Sequence, residues 1–476
     1  MFRSDESSQT CAEFVLIGDL VPKDHLLRKI DAVIDFSFIR EKTRNLYCAD
    51  NGRPCVDPIV LFKMLFIGYL FGIRSERRLA EEIKVNIAYR WFLGLKLTDT
   101  VPHHSTISQN RRRRFNGTNI FQEIFDEMVL FAIEKDMIDG VELFSDSTFL
   151  KANANRGKYV KKEVEGSTKA YIDELNKAVD RDRKRHGKAP LKEKEIEKEC
   201  KETRFSTTDP DAGYMVREGK PEGFFYLDHR TVDGRLNLIT DVCVTAGNIH
   251  DSIPYVDRLN RQIERFGFDV ERVALDAGYL TTPICHELRK RDIFAVIAHR
   301  RFHPKRGLFN KWEYAYDPKT DTYTCPAKHK LAYSTTSREG YRQYKSDPSV
   351  CKTCAYLEKC TSAKNHTKVI TRHVWEVDKE WVRSNRLSDE GKALYVKRST
   401  TIERSFADAK ELHGLRYARM RGLRKVQEQC LMTAICQNIK KMALHSWSTG
   451  LGPRALKVVS LFRLHLHRFI QPLIAY

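Results

Sequence analysis

The sequence has no apolar run long enough to span a bilayer. Its most apolar stretch, Ile59 to Ile73, contains Lys63 and falls short of the ~20 residues a transmembrane helix requires. We read it as a buried helix. The leading residues Met1-Phe2-Arg3-Ser4-Asp5-Glu6 lack the apolar segment of a secretory signal, so a cytoplasmic protein with no membrane partner is expected. Thiols there stay reduced or bind metal, so the 12 cysteines are not expected to form a disulfide framework. Acidic residues are also short: 63 Asp and Glu face 83 Lys and Arg, leaving +20 over 476 residues. That balance suits a polyanionic partner, most simply nucleic acid. The length allows two or three domains.

Residues 1–135 read as helical. Asp57-Pro58 opens a helix in which Ile59, Phe62, Leu65, Phe66, Tyr69 and Leu70 recur at helical spacing. Short helices follow over Glu76–Ile83 and around Ala88–Leu93. Ser105 is a candidate N-cap for a further helix that carries Arg111, Arg112, Arg113 and Arg114. Short helices ending in an Arg-rich one resemble a helix-turn-helix array, with the arginines as phosphate contacts. A solvated basic helix face is the plainer alternative.

Beyond residue 140 the pattern turns to strands. They are expected at Val141–Leu150, Phe224–Val232, Leu236–Val244, Val270–Leu275 and Ile293–Ala298. Asp233-Gly234 gives a two-residue hairpin signal. Helices are expected over Asp251–Phe266, Thr282–Arg291, Thr400–His413 and Lys425–His445. The order is β-β-β-α-β-α-β, then α, with insertions over 151–223 and 299–395 and a tail from 447. Three strands in a meander followed by strands alternating with helices predict an α/β fold with a mixed sheet of the RNase H-like kind. The mixed-sign run Asp180–Arg185 marks the first insertion as solvated or mobile. Asp228, Asp233 and Asp241 are expected at turns or exposed strand faces, and Asp209 and Asp211 in a turn.

Three acids stand at matching points of that order. Asp146 lies on the first strand, Asp276 closes the fourth and Glu403 sits on the helix after the second insertion. Converging carboxylates supply hard oxygen ligands for Mg²⁺ or Mn²⁺. Two such ions ~4 Å apart clamp the attacking and leaving oxygens of an in-line phosphoryl transfer. Such chemistry is mostly positioning and charge neutralisation.

The blocks Asp146-Ser147-Thr148, Leu275-Asp276-Ala277-Gly278-Tyr279 and Ile402-Glu403-Arg404-Ser405-Phe406 resemble those of DDE transposases of bacterial insertion sequences. Tyr395, Arg398, Glu403 and Lys410 are similar to the Tyr-Arg-Glu-Lys signature of one large group, with the Arg-to-Glu gap one residue longer than usual. The resemblance implies a nucleoid-associated enzyme that cuts and joins double-stranded DNA at transposon ends and target, using two divalent ions and acting as a dimer on DNA. It also gives Lys410, Tyr395 and Arg398 to DNA phosphates. Arg416, Arg419 and Arg421, interleaved with Tyr417, suit a loop that tracks a DNA backbone. A nuclease that does not rejoin strands, and a decayed DNA-binding regulator, are the competing functions.

Cys325, Cys351, Cys354 and Cys360 fall in a short polar stretch poor in core residues. Four thiolates including a C-x₂-C pair suit a tetrahedral structural Zn²⁺, with His329 and His366 as substitute ligands; reduced free thiols are the alternative.

Overall fold

The computed structural model describes residues 14–48, 55–165, 172–191, 200–216, 222–299 and 307–450. Most of the expected tail therefore lies outside the described residues. Among those described, seven α-helices lie between Leu26 and Glu134. The apolar run forms the helix Pro58–Leu70, whose first turn is set by Pro58 and by the Asp57 carboxylate, which accepts from Ile59 N–H at 2.9 Å. The arginine-rich run forms the helix His104–Arg113. No helix among the described residues is long and apolar enough to cross a membrane.

The main sheet has eight strands: β1 Glu142–Lys151, β2 Tyr159–Glu165, β3 Cys200–Ser206, β4 Gly213–Met215, β5 Gly223–Asp233, β6 Ile239–Ala246, β7 Arg272–Leu275 and β8 Phe294–Ile297. At its centre the spatial order is β6-β5-β1-β7-β8. β1 is antiparallel to β5, and β5 to β6, whereas β1, β7 and β8 are parallel. Antiparallel neighbours can follow one another through a loop, but parallel ones need a crossover; the helix Thr282–Lys290 makes it between β7 and β8. The expected mixed α/β sheet is thus present.

The hairpin differs in detail from expectation. Asp233 still pairs with Leu143, and its N–H reaches Leu238 O at 2.9 Å, so the loop is the four residues Gly234 to Asn237. The Asp233 carboxylate is buried and accepts from the Gly140 and Arg235 N–H groups, both at 2.9 Å. It is therefore an internal anchor, and the left-handed turn residue is Asn237, with φ 58°. Asp228 and Asp241, expected on exposed faces, are buried in ion pairs. Arg230 Nη2 lies 2.8 Å from Asp228, and Arg258 Nε lies 2.6 Å from Asp241. Alternating charge in a strand reads as an outer face unless tertiary partners cover both sides, as they do here.

The insertions are ordered where described. The first holds β2 to β4, which continue the sheet beside β5, and the helix Ile172–Arg185. Asp182, in the run expected to be solvated, is buried, accepting from Arg342 Nε at 2.8 Å and Thr336 Oγ1 at 2.7 Å. The second insertion forms a separate five-stranded sheet between Ala315 and His373. Asp182 and His186, whose ring nitrogen is 2.6 Å from Asp321, bind the two insertions together. The second insertion ends earlier than expected, because the helix Glu376–Leu387 packs on β8 as part of the core.

The helix Leu423–Ser448 is buried along most of its length, against the N-terminal helices and β6. It is apolar on several faces because it has neighbours on several sides. One hydrophobic core consequently runs from Leu27 to Ala443. The helical region expected to stand alone as residues 1–135 shares its core with the sheet. The helix start is held by two acids expected in a turn: Asp209 accepts from Gly422 N–H and Asp211 from Leu423 N–H, each at 2.9 Å. They satisfy donors that have no partner within the helix.

Candidate active site

β1 and β7 pair only as far as Ser145 and Leu275. Asp146 and Asp276 are the next residues on each strand, so the backbone brings both acids to the same end of two adjacent parallel strands. Glu403 is exposed on the helix Ile402–Glu411, which packs against β1 and β5. That helix is fixed from beneath. Arg230 on β5 donates to Gln437 Oε1 at 2.7 Å and to Ser405 Oγ at 3.3 Å, and its guanidinium lies over the Phe406 ring. Gln437 in turn donates to Ser405 O at 2.8 Å.

Asp146 accepts from Arg398 Nη2 at 2.7 Å and from Ser147 N–H at 2.8 Å. Burial still raises its carboxyl to about 6; Arg398 and the Ser147 hydrogen bond pull it down, while Asp276 and Asp251 push it up. Tyr395 sits in the same field. Burial raises its phenol, Arg398 lowers it, and Asp276, Glu403 and Asp146 all raise it. One side chain therefore feels all three carboxylates. Arg398 lies 5.4 Å from the Tyr395 ring centre and is buried. Among the described residues, however, no three His, Cys, Asp or Glu side chains are gathered closely enough to hold an ion. The positive charge at Asp146 is supplied by Arg398.

The residues assigned to DNA fall into two groups. Arg398, expected at phosphates, is turned inward onto Asp146. Arg111 is also inward, ion-paired with Glu76 and, at 2.5 Å, with Glu428. Arg114 lies over Tyr47 and donates to Asn110 Oδ1 at 2.8 Å, yet like Arg112 and Arg113 it is exposed. Lys410 is half-buried, donating to Thr148 Oγ1 at 2.6 Å; burial lowers its pKa most, followed by Arg416. Arg419 donates to the Ile73 and His413 carbonyls, both at 3.3 Å. Arg416 pairs with Glu411, and Arg421 donates to Asn153 O at 2.9 Å.

Sequence reasoning missed Arg230 and Asp251. Asp251 accepts from Ser147 Oγ at 2.7 Å, beside the site. Gly278 leaves it room, since a Cβ there would come within 3.2 Å of its carboxylate. An acid in a loop after a strand carries no spacing signal that marks it.

The four cysteines share a cavity, although among the described residues no three of them are gathered closely enough to hold an ion. Cys325, Cys351, Cys354 and Cys360 line one cavity of about 150 Å³ in the second insertion, with His329 also on its wall. Cys360 Sγ lies 3.1 Å from Tyr314 Oη. Burial raises the Cys360 thiol, and Cys351 and Cys325 act on it in the same direction. Cys325 Sγ accepts from His329 N–H at 3.3 Å. His366 has no place on that wall.

Residues 15–113 match the family described as a transposase domain (DUF772), and residues 324–443 match the transposase DDE domain. These two matches support a transposase, and more narrowly a DDE transposase of insertion-sequence type. The second match includes Glu403 and all four cysteines; Asp146 and Asp276 lie before it. No curated protein matches the chain. A cryo-EM structure of the piggyBac transposase synaptic complex with hairpin DNA aligns over 88% of this chain and 78% of that one, at 10% identity and a TM-score of 0.28. So low a score carries no argument.

Proposed function

We propose that the chain binds transposon-end DNA and cuts and rejoins its strands by metal-dependent, in-line phosphoryl transfer, with Asp146, Asp276 and Glu403 as the catalytic acids. The observation that carries this reading is the strand order β6-β5-β1-β7-β8, with Asp146 on the central strand and Asp276 ending its parallel neighbour. That order supports an RNase H-like core. The donor set fits Mg²⁺ or Mn²⁺, being all carboxylate oxygen. Burial raises the Asp146 carboxyl to about 6 against the pull of Arg398, so a cation there takes the ionised form and displaces a proton at lower pH. When bound, such ions supply charge neutralisation of the phosphate and activation of water or a 3′-hydroxyl.

The chain's own residues do the rest. Arg230 and Gln437 hold the Glu403 helix on the sheet. Arg398 orients Asp146 and offsets its charge until the site is loaded. Lys410 and Tyr395 stand at the rim, where a strand backbone would approach the acids. Joining two DNA ends calls for a dimer on DNA. For the second insertion we propose a structural Zn²⁺ on Cys325, Cys351, Cys354 and Cys360, supported by the one cavity they line and by the small core of that module, built on Tyr314, Tyr323, Leu331, Tyr344 and Ile370.

Incubating the protein and Mg²⁺ with linear DNA carrying the element's terminal repeats and a target plasmid tests the main reading. Joined products are expected, and Asp146→Ala, Asp276→Ala and Glu403→Ala should each abolish cleavage while sparing binding. Cleavage without joining would favour a plain nuclease. Near-normal cleavage by any one variant would remove that residue from the site.

A further inference from the structure

A groove of about 660 Å³ lies where the N-terminal helices meet the loop from Gly414 to Gly422 and the start of the long helix. Its walls carry Arg74, Arg111, Arg112, Arg419 and Lys425 against one carboxylate, Glu76. These cations differ in availability. Arg111 is taken up by Glu76 and Glu428. Arg419 forms the floor: it lies 4.2 Å from the Tyr69 ring centre, its terminal nitrogens hold backbone carbonyls, and its buried Nε has no partner. Burial lowers its pKa, and the nearby Arg111 and Arg74 lower it further. Positive charge is thus stacked on positive charge with too few acids to balance it.

Arg74, Arg112 and Lys425 are exposed on the walls, and among the described residues none of the three is in an ion pair. Ser105 and Ser108 line the groove as well, the Ser108 hydroxyl donating to Ser105 O at 3.0 Å. The groove is also mechanically joined to the acids. Lys151, the last residue of the strand that carries Asp146, accepts from Ala418 N–H at 2.8 Å and donates to Arg416 O at 3.3 Å. The arginine loop is thereby fastened to β1.

We propose that this groove holds the sugar-phosphate backbone of the DNA that flanks the cleavage point, with Arg74, Arg112 and Lys425 contacting its phosphates. The inference rests on the DNA-cutting reading and deepens it. Long cationic side chains from three separate segments suit successive phosphates, and contacts of that kind position DNA without reading its sequence. Lys425 and Arg74 have no special place in the sequence; the fold makes them neighbours of Arg112.

The test compares full-length protein with the triple variant Arg74→Ala/Arg112→Ala/Lys425→Ala in binding fluorescently labelled linear duplex over a salt series. Each lost phosphate contact lowers the slope of log affinity against log salt by ~0.9. The triple variant should therefore lose about 2 to 3 from that slope and bind on the order of tenfold or more weakly at physiological salt. Arg181→Ala/Lys319→Ala/Lys352→Ala removes three exposed charges elsewhere and should bind like the unmodified protein. Should the first variant fail to fold, Arg112→Ala and Lys425→Gln singly should each lower the slope by about 1. If the unmodified protein binds duplex and the groove variants keep its affinity and slope, or the control variant weakens equally, the groove assignment is overturned and the cutting reading stands. If the unmodified protein neither binds nor cuts DNA, both fall. Binding of an acidic peptide in the groove, with DNA affinity untouched, would also overturn the assignment.

Discussion

Burial is the largest influence on Asp146, and it opposes the charge that a metal ligand needs. The carboxyl is raised to about 6, so the metal-free folded protein holds a proton there below pH 6, in a range where the unfolded chain does not. Folded protein therefore binds more protons between the ordinary carboxylate value and 6, and stability from this group falls as pH rises through that window. A divalent cation requires the ionised form and displaces the proton. Titrating the protein with Mg²⁺ calorimetrically at pH 6, in buffers of different ionisation heat, should reveal release of about half a proton, and at pH 8 almost none. Equal heats in all buffers at pH 6 would contradict this. The places of Asp146, Asp276 and Glu403 on the strands and helix were legible because each follows an apolar run or opens a helix. The Arg398–Asp146 contact was not, since the partners are 252 residues apart. Asp228 and Asp241 were misplaced for a different reason: their partners Arg230 and Arg258 are near in sequence, and what could not be read was that the fold covers both pairs, which the pairing makes tolerable.

At the scale of elements, the strands around the acids and the helix Thr282–Lys290 follow the apolar periodicity closely, because the core that buries them selects it. β2 and β3 were illegible. Val160-Lys161-Lys162-Glu163 has the composition of a solvated segment, and pairing along the growing sheet edge makes it a strand. The five-stranded second sheet was hidden similarly, its apolar residues being few and mostly tyrosine. That poverty motivates the zinc proposal. Metal analysis of purified protein should give about one Zn per chain, lost in Cys351→Ser/Cys354→Ser together with several degrees of thermal stability. Stoichiometric iron, or no metal with unchanged stability in the variant, would contradict it.

For the molecule as a whole, the +20 charge was legible from composition, whereas the distribution of that charge was not. The arginine run looked uniform in sequence, yet the helix turns Arg111 inward and leaves Arg112 on the groove. The helix Leu423–Ser448 fuses the N-terminal helices, the sheet and the arginine loop into one core, so the groove and the acids keep a fixed relation. The central claim is that Asp146, Asp276 and Glu403 share one metal site. It is tested most directly by replacing Mg²⁺ with Fe²⁺ in the DNA-bound protein, adding ascorbate and peroxide, and mapping where locally generated radicals cut the polypeptide. Cuts clustered beside residues 146, 276 and 403, suppressed by excess Mg²⁺ and absent in Asp146→Ala, are predicted. Cuts at only one of the three segments, or at none, would contradict a shared site.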